Sequence, residues 1–487
     1  MLEPSDVRDI LTQHDLYWDQ RRDRLREARR LYMTQFWETE TYPTLDGILR
    51  TEVPKAYAVV ESYLGSLYAK NPSVRVEPDI RDRGNPEVAQ ATANQYLLTI
   101  REQMEDATRL ALIYPCSFVK MAPTENVDPL KRVSCAALPP WEVIVDATAC
   151  SWDQQRHVGH VYLMPLPEAM TRFSKDADAF TSRNYSKWIE ATGIAGKDVM
   201  MGLGSSSGGA TDSDRWVRVV EMYDLLDDKL LVWSPDYAGG DAYLFEGVRV
   251  QVGALDPEAD AEAPTPDGPL RGYSLIHRSV DQFRELNVMR TYQANGVRRM
   301  ARQWMVRAGF LSEDGAAKIA QGLDGEFIEV DLPPGATLDG NITPVPQAPI
   351  PPDIAAYATT VNTDIQEAGL LAPFTRGEVT KSTATEQTLL AAYTSSELGR
   401  MARIRDAAIT SLAMTYNVML SVVLGDDAEP LALPNPVGAT ILSADDLTGD
   451  FGYWAVDAGT TPMSDLAKRQ SLERLAPILV QLGADPA

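Results

Sequence analysis

Cysteine is scarce in this sequence and shows no metal-binding spacing. The 487 residues include three cysteines, Cys116, Cys135 and Cys150. An odd number without short paired spacings argues against a disulfide framework and against a zinc knuckle, because structural zinc sites take their ligands as closely spaced pairs. We therefore expect free, mostly buried thiols.

Histidine is almost as scarce, with four residues in the chain. His157 and His160 lie three positions apart on a predicted strand, where their side chains would point to opposite faces, and His14 and His277 are scattered. We recognise neither a metal pair nor an acid–base constellation on neighbouring elements. The sequence therefore predicts no metal site, no cofactor and no enzymatic activity.

Long apolar runs and a leader-like amino terminus are also missing. No run approaches the roughly eighteen apolar residues of a transmembrane helix, and residues 1–6 lack the basic-then-apolar order of a signal peptide. With 44% hydrophobic residues the chain can still bury a large core, in two or three linked regions. These features predict a protein that folds in the cytoplasm.

Basic residues are the minority among the charged ones, 45 against 69, which gives a net charge of −24. Tight wrapping of nucleic acid needs lysine and arginine to neutralise phosphates, so this balance argues against a DNA-wrapping protein. Positive charge is concentrated in residues 278–307, where seven arginines and two acidic residues give a local balance of +5.

The same segment opens the most informative pattern in the chain. Apolar residues recur at mostly three- and four-residue steps over residues 280–303, which predicts a helix whose packing face includes Phe283, Leu286 and Val297. A second, basic stripe on this helix is predicted to contain Arg284, Thr291, Asn295, Arg298 and Arg302.

Two interruptions separate this helix from two later ones. Residues 326–330 alternate like a half-exposed strand, and the proline-rich residues 343–352 are stiff and extended. A second helix is predicted over residues 353–368 and should run antiparallel to the first. After a polar loop, Thr383-Ala384-Thr385-Glu386 forms a capping box that opens a third helix of roughly forty residues.

The rest of the chain mixes helical and strand-like patterns. Residues 4–37 predict one helix with an arginine-rich middle, which suits nucleic acid or, as the favoured interpretation, solvent or a neighbouring subunit. Further predicted helices are residues 53–67, 88–112 and 464–482, and predicted strands are residues 141–145, 157–164, 216–226, 229–233 and 441–456.

With these elements in this order, the chain resembles the portal proteins of tailed double-stranded DNA bacteriophages. The resemblance spans nearly the whole chain and rests on the order of elements more than on any motif, because portal proteins have no catalytic signature. The segments that carry it are Arg30-Leu31-Tyr32, Phe36-Trp37, the helix and Asn-Pro turn of residues 60–72, the proline-to-aspartate strand of residues 138–146, and the loop-to-helix junction Thr383-Ala384-Thr385-Glu386.

The resemblance implies an α+β fold of the portal-protein type, with a mainly helical wing. Its parts would be a wing with amino-terminal helices and a β-rich part (residues 1–277), a first stem helix (278–303), a small α/β clip (304–351), a second stem helix (352–369), a tunnel loop (370–384), a long central helix with return strands of the wing (385–463) and a short crown (464–487).

The resemblance also implies a function and partners. It predicts a homo-oligomeric ring of about twelve subunits at one capsid vertex of the virion, assembled in the host bacterial cytoplasm. The ring would be the channel for genome packaging and ejection. Its partners would be double-stranded genomic DNA, the terminase large subunit, a head–tail adaptor, and the major capsid and scaffolding proteins, with no membrane. ATP hydrolysis would belong to the terminase.

The implied site residues fall into two groups. The tunnel loop would bring Thr375, Arg376 and Lys381 close to DNA phosphates. The stem arginines would either line the channel or pair with acidic residues of the next subunit, and pairing is favoured because close-packed helices leave little unpaired charge. The stem arginines are Arg284, Arg290, Arg298, Arg299 and Arg302.

Two alternatives remain open at the level of sequence. Another virion connector or minor capsid component would share the acidity and the lack of catalytic groups, but should not show this order of elements. A hydrolase could use Ser206, since residues 204–208 match the G-x-S-x-G pattern of a nucleophile elbow. No convincing helix follows that serine, so a flexible loop is the favoured interpretation.

Overall fold

The computed structural model of the chain describes residues 2–38, 50–78, 84–114, 116–146, 148–149, 154–175, 179–180, 216–237, 242–248, 253–255, 274–300, 304–306, 342–344, 352–368, 384–425, 429–432, 439–447, 449 and 451–456. The fold is a mixture of helices and mostly small antiparallel sheets, which confirms the α+β class. By its internal contacts the chain divides into two units, one formed by Met1–Arg29, Ala58–Arg278 and Ala372–Ala487 and the other by Arg30–Tyr57 and Ser279–Leu371.

The helices and strands follow one another along the chain as follows. They are α1 Pro4–Asp19, α2 Arg22–Tyr32, α3 Lys55–Leu67, β1 Val74–Pro78, α4 Pro86–Thr99, α5 Arg101–Ile113, β2 Ser117–Pro123, β3 Val133–Leu138, β4 Val143–Val145, β5 His157–Pro165, α6 Leu166–Phe173, β6 Trp216–Asp224, β7 Lys229–Trp233, β8 Phe245–Val248, β9 Gly253–Leu255, α7 Val280–Met300, β10 Trp304–Val306, β11 Ile342–Pro344, α8 Pro352–Ala368, α9 Ala384–Leu424, β12 Glu429–Ala432, β13 Ala439–Leu442, α10 Ala444–Leu447 and β14 Phe451–Ala455.

A five-stranded antiparallel sheet in the order β4-β5-β6-β7-β8 forms the centre of the first unit. Successive side chains of a strand point to opposite faces, so β6 contributes to a core on each side. Val220 and Met222 pack with Val7 and Leu11 of α1 on one face. Val217 and Val219, two positions apart on β6, pack against α6 on the other face. The sheet is therefore covered by helices on both sides.

Two predicted helices are each broken in the structure. The prediction of one helix over residues 4–37 is wrong, because the backbone N–H of Arg21 bonds to Trp18 O and its guanidinium donates to Tyr17 O, which ends α1 before α2 begins. The prediction over residues 88–112 is wrong in the same way. The Thr99 hydroxyl donates to Tyr96 O, and Ile100 leaves the helical conformation between α4 and α5.

Most predicted strands are present, with shifted ends. The strand expected over residues 141–145 begins only at Val143, because Pro140–Glu142 form a 3-10 turn in which Glu142 N–H donates to Pro139 O. β6 ends at Asp224, whose carboxylate accepts the backbone N–H groups of the following turn. The segment expected over residues 441–456 is two strands, β13 and β14, separated by α10. The predicted strand at 326–330 and helix at 464–482 lie outside the described residues.

The long helix α9 spans 41 residues and packs within the first unit. The ring of Tyr416 stacks on that of Tyr96, with centroids 3.8 Å apart and planes 9° from parallel. Asn417 donates its amide to Ala89 O at 2.9 Å and accepts from the Thr92 hydroxyl at 3.1 Å. Buried polar groups of this kind are paired because leaving them unpaired is costly. These bonds fix the rotation of α9 about its axis.

Part of α9 corrects the expectation that the chain has no segment of transmembrane composition. Among the described helices, Met401–Leu424 has the length and the mean hydropathy, 1.7 over an 18-residue window, of a membrane span. More than half of that window, 56%, is buried inside the fold. The Met401–Leu424 segment also contains Arg405, whose guanidinium bonds to Leu67 O. A core helix in a soluble fold passes the same test of composition.

Two of the three cysteines are described, and neither forms a disulfide, in agreement with the prediction. Cys116 is buried and Cys135 is half-buried. Burial raises the pKa of the Cys135 thiol to about 12, so the thiol stays protonated near neutral pH. Cys150 lies outside the described residues.

Candidate functional site

The helix pair α7 and α8 is the described part of the predicted stem. Gln293 of α7 donates its side-chain amide to Ile354 O of α8 at 3.4 Å, and the Tyr357 hydroxyl of α8 donates to the Glu285 carboxylate at 2.7 Å. A later residue of α7 thus meets an earlier residue of α8, which is the order expected of antiparallel helices. The prediction that the second helix returns alongside the first is confirmed in this respect.

A small strand pair lies in the segment that connects α7 with α8. β10 and β11 pair antiparallel, with Trp304 opposite Pro344 and Val306 opposite Ile342. β10 follows α7 in the chain and β11 precedes α8. Their antiparallel pairing therefore brings the segment that leaves α7 next to the segment that approaches α8. The helix pair therefore continues into a β-paired base.

The packing face of α7 differs from the predicted one. Thr291, which the pattern assigned to the basic stripe, is completely buried with 0% of its surface exposed, and Val297, assigned to the packing face, is 62% exposed. Phe283 and Leu286 are buried as predicted. Asn287 and Thr291 follow Phe283 at four-residue spacing and so lie on the same face of the helix. The helix therefore buries these two polar side chains beside its apolar ones.

The buried polar stripe of α7 holds an extended segment of the second unit. The Thr291 hydroxyl accepts from Thr51 N–H at 3.0 Å and bonds to Thr51 O at 3.1 Å. The Asn287 amide oxygen accepts from Val53 N–H at 2.8 Å, and its nitrogen donates to Phe283 O at 3.0 Å. We call Thr51, Val53, Asn287 and Thr291 the stem tie. An extended backbone without a strand partner finds its hydrogen bonds here on the side chains of a helix.

The stem tie continues to the aromatic pair Phe36-Trp37. The Trp37 indole donates to Thr51 O at 3.0 Å, and the Trp37 N–H donates to the Glu52 carboxylate at 3.1 Å. The Arg50 guanidinium donates to Trp37 O and lies 5.5 Å from the centre of its ring. Residues 36–37, part of the family resemblance, thus anchor the segment that α7 holds. The sequence signal for this tie was the Asn287–Thr291 spacing on an otherwise apolar face, and our sequence reasoning missed it.

Two of the five stem arginines have described side chains. Arg284 contacts Asp281 at 3.4 Å, and Arg290 donates to Gln293 at 3.3 Å. Both contacts join residues three apart on α7, which are neighbours on a helix surface. Arg298 and Arg299 belong to α7, but their side chains lie outside the described part of the structure. Arg302 lies outside it altogether.

The predicted tunnel-loop residues also lie outside the described residues. This holds for Thr375, Arg376 and Lys381, and for Ser206 of the alternative hydrolase motif. The structure describes the two elements that flank the loop, α8 ending at Ala368 and α9 beginning at Ala384.

The start of the arginine-rich helix α2 makes contacts with neighbouring residues of the chain. The Arg21 guanidinium lies 3.6 Å from the centre of the Tyr17 ring, and Arg22 forms an ion pair with Asp19. These two side chains are therefore engaged locally.

The structure brings together an ionic cluster that sequence reasoning missed. Lys120 of β2 forms an ion pair with Glu221 of β6, and its Nζ lies 3.0 Å from His160 Nδ1 of β5. The Tyr162 hydroxyl donates to Glu221 at 2.8 Å and Arg172 of α6 donates to it at 3.3 Å. We call these five residues the ionic cluster. Lysine, histidine and glutamate are acid–base groups, but here they bond to one another between two sheets and an adjoining helix.

Burial and charge act against each other in the ionic cluster. Burial disfavours the Glu221 carboxylate, but the charge of Lys120 and the hydrogen bonds from Lys120 and Tyr162 together outweigh burial and lower the pKa of Glu221. Burial also lowers the pKa of His160. Burial first, and then the Glu221 charge, raises the pKa of Tyr162. The cluster is thus held with the carboxylate ionised and the imidazole neutral near pH 7.

Comparison with known proteins adds no assignment to this geometry. No protein-family model matches the chain, and no curated protein matches it. The functional argument therefore rests on the order of the elements and on the contacts of α7, α8 and α9.

Proposed function

We propose that this chain is a portal protein of a tailed double-stranded DNA bacteriophage, a ring-forming channel for genome packaging and ejection. The observation that carries the proposal is the order of elements from α7 to α9. A 21-residue helix leads into a β-paired connection, a 17-residue helix returns antiparallel, and a 41-residue helix follows. An ordinary catalytic domain has no evident need for this arrangement.

Two further features support the proposal. The α7–α8 pair is braced by the stem tie, so its first helix is held along one side by half-buried hydrogen bonds rather than by apolar packing alone. The exposed side of α8 carries small neutral residues such as Ala356, Thr359 and Thr363, which allow another helix to approach closely. Both features suit a helix pair that repeats around a channel.

In the proposed ring, each copy meets its neighbour through two different faces until the ring closes. The stem would be α7 and α8, the clip would contain β10 and β11, and residues 370–383 would form the tunnel loop between α8 and α9. The acidic chain would give a channel that holds DNA weakly, with Arg376 and Lys381 as the phosphate contacts. Terminase and the head–tail adaptor would dock at the clip.

Electron microscopy of the purified protein, together with its mass in solution, tests this proposal. We expect rings of about twelve subunits with a central hole. Immunolabelling of virions of the phage that encodes the chain should mark a single capsid vertex. Virions labelled elsewhere or not at all, combined with a protein that forms no rings, would contradict the proposal.

A further inference from the structure

The ionic cluster lies where two sheets of the first unit pack on each other. Phe118 of β2 packs with Val143 of β4 and Val158 of β5 in one buried apolar cluster. Lys120 and His160 lie two positions beyond the apolar residues of β2 and β5, so they point to the same side of their strands. The contact between the three-stranded sheet of β2 and the five-stranded sheet therefore continues from apolar packing into the ionic cluster.

His160 has a cation near one ring nitrogen and a carboxylate near the other. It lies opposite Glu221 of β6 on one side and opposite Val143 of β4 on the other, and Glu142 directly precedes β4. His160 Nδ1 lies 3.0 Å from the Lys120 ammonium. His160 Nε2 lies 3.9 Å from Glu142 Oε2, beyond hydrogen-bond distance, and is buried without a hydrogen-bond partner among the described residues.

Glu221 keeps its negative charge over the range from pH 7.5 to pH 5. Burial alone would raise the pKa of Glu221, but the charge of Lys120 and the hydrogen bonds to the carboxylate lower it. The hydroxyls of Tyr162 and Tyr223 donate to this carboxylate at 2.8 and 3.4 Å, and the Arg172 guanidinium donates at 3.3 Å. The anchor of Lys120 on β6 is therefore stable over this range.

His160 is the member of the cluster that can change its charge in this range. The ordinary pKa of histidine is about 6.5, whereas those of lysine and tyrosine lie near 10. Burial lowers the pKa of His160, so the ring takes up a proton from solvent only as the pH falls below about 6.5. A proton on Nδ1 would set two cationic donors against each other, while the charged ring and the Glu142 carboxylate attract. Protonation therefore favours a ring position nearer Glu142 and farther from Lys120.

We propose that the ionic cluster is a pH-sensitive switch that loosens the sheet of β2 from the five-stranded sheet in acid. With the neutral ring, His160 Nδ1 accepts a hydrogen bond from Lys120. With the protonated ring, His160 pairs with Glu142 and gives up Lys120, so the contact between the sheets loses one of its polar links. The switch does not depend on the proposed function, since all its groups belong to the first unit.

Hydrogen–deuterium exchange of the full chain at pH 7.5 and pH 5 tests the switch. The rate of each peptide is divided by its intrinsic rate at the same pH, so that the remaining change reports opening of the structure. In the wild type, the peptide containing β2 should lose protection by at least about fivefold at pH 5. The peptide containing β7, which pairs with β6 and β8, should keep its protection. Protection of the β2 peptide that is the same at both pH values would overturn the proposal, and so would an equal loss in both peptides.

The variant H160N tests whether the imidazole is the group that responds. Its amide oxygen can accept from Lys120 and takes up no proton in this range, so the β2 peptide should be equally protected at both pH values. The matched control is H157N, because His157 is a half-buried histidine of the same strand outside the cluster. It should lose protection as the wild type does. A wild-type loss in H160N, or no loss in H157N, would contradict the proposal.

The variant E142Q tests the second partner of the ring and stands by itself if H160N fails to fold. Glutamine keeps the shape and the hydrogen-bonding capacity of Glu142 but carries no charge, so the protonated ring is less favoured. The loss of β2 protection should move to lower pH by roughly one unit, in a protein whose circular dichroism at pH 7.5 matches the wild type. A loss at the same pH as in the wild type would show that His160 does not pair with Glu142, and would overturn the proposed switch.

Discussion

The contacts of His160 in the ionic cluster favour one neutral form of the ring. The Lys120 ammonium, 3.0 Å from His160 Nδ1, has hydrogens to donate and no lone pair to accept with. Nδ1 must therefore accept, which leaves the proton of the neutral ring on Nε2. Protonating Nδ1 would place two cationic donors against each other in a buried site. The surrounding charges are Lys120, Arg172, Glu142 and Glu221, and burial outweighs the two carboxylates in lowering the pKa of His160.

The stability of the protein should depend on pH through His160. The folded-state pKa lies below the ordinary value near 6.5, so the neutral ring contributes stability that is complete above about pH 6.5 and is lost as the pH falls towards the folded pKa. In H160N the amide oxygen can accept from Lys120 and does not titrate. We expect the melting temperature of H160N to fall less than that of the wild type between pH 7.5 and pH 5 in calorimetry.

Some pH dependence should remain in H160N, because burial also lowers the pKa of His157. The informative quantity is the difference between the two slopes. Parallel slopes for the wild type and H160N would mean that His160 does not titrate as its surroundings require.

At the scale of single elements, the local sequence pattern predicted where helices lie better than which of their faces are buried. The starts and ends of α7, α8 and α9 follow from apolar spacing, the proline-rich segment and the capping box. The buried face of α7 could not be predicted from this spacing, because Thr291 is buried by a segment 240 residues away in sequence. The ionic cluster was missed for the same reason, since Lys120 and Glu221 are 101 residues apart. Spacing along one element cannot reveal such partners.

The stem tie gives a prediction at this scale. T291V keeps the side-chain shape and removes the hydroxyl that serves both Thr51 N–H and Thr51 O. Thr51 O keeps the bond from the Trp37 indole, but the half-buried Thr51 N–H loses its partner, which costs about 1–3 kcal/mol. Hydrogen–deuterium exchange should therefore be roughly tenfold faster or more for the peptide containing residues 50–53.

The matched control for the stem tie is T363V on α8. Thr363 is exposed and its hydroxyl bonds to Thr359 O in its own helix, so this substitution should change stability by less than about 0.5 kcal/mol. Exchange that is equally slow in T291V and the wild type would show that the bonds to Thr51 do not hold the segment.

At the scale of the whole molecule, the proposed ring places two demands on charge. DNA must pass without binding tightly, and copies of the chain must associate. A net charge of −24 per copy keeps a DNA channel from binding its cargo tightly, but it also opposes assembly. In the proposed ring, the surfaces through which copies meet would therefore have to carry little charge or complementary charges. Arg376 and Lys381, the proposed phosphate contacts, would hold DNA briefly without trapping it, because two basic residues per copy neutralise few phosphates.

The tunnel-loop residues provide the last prediction. In R376A/K381A we expect rings of wild-type size by electron microscopy, because residues 370–383 are proposed to contact DNA and not the neighbouring subunit. DNA packaging, or retention of packaged DNA, should be impaired in phage that carry the double substitution. The control K70A/R75A removes the same charge from exposed positions of the α3–β1 region, and it should package normally. Failure of R376A/K381A to form rings would refute this division of roles, and equal impairment in the control would reduce the effect to net charge.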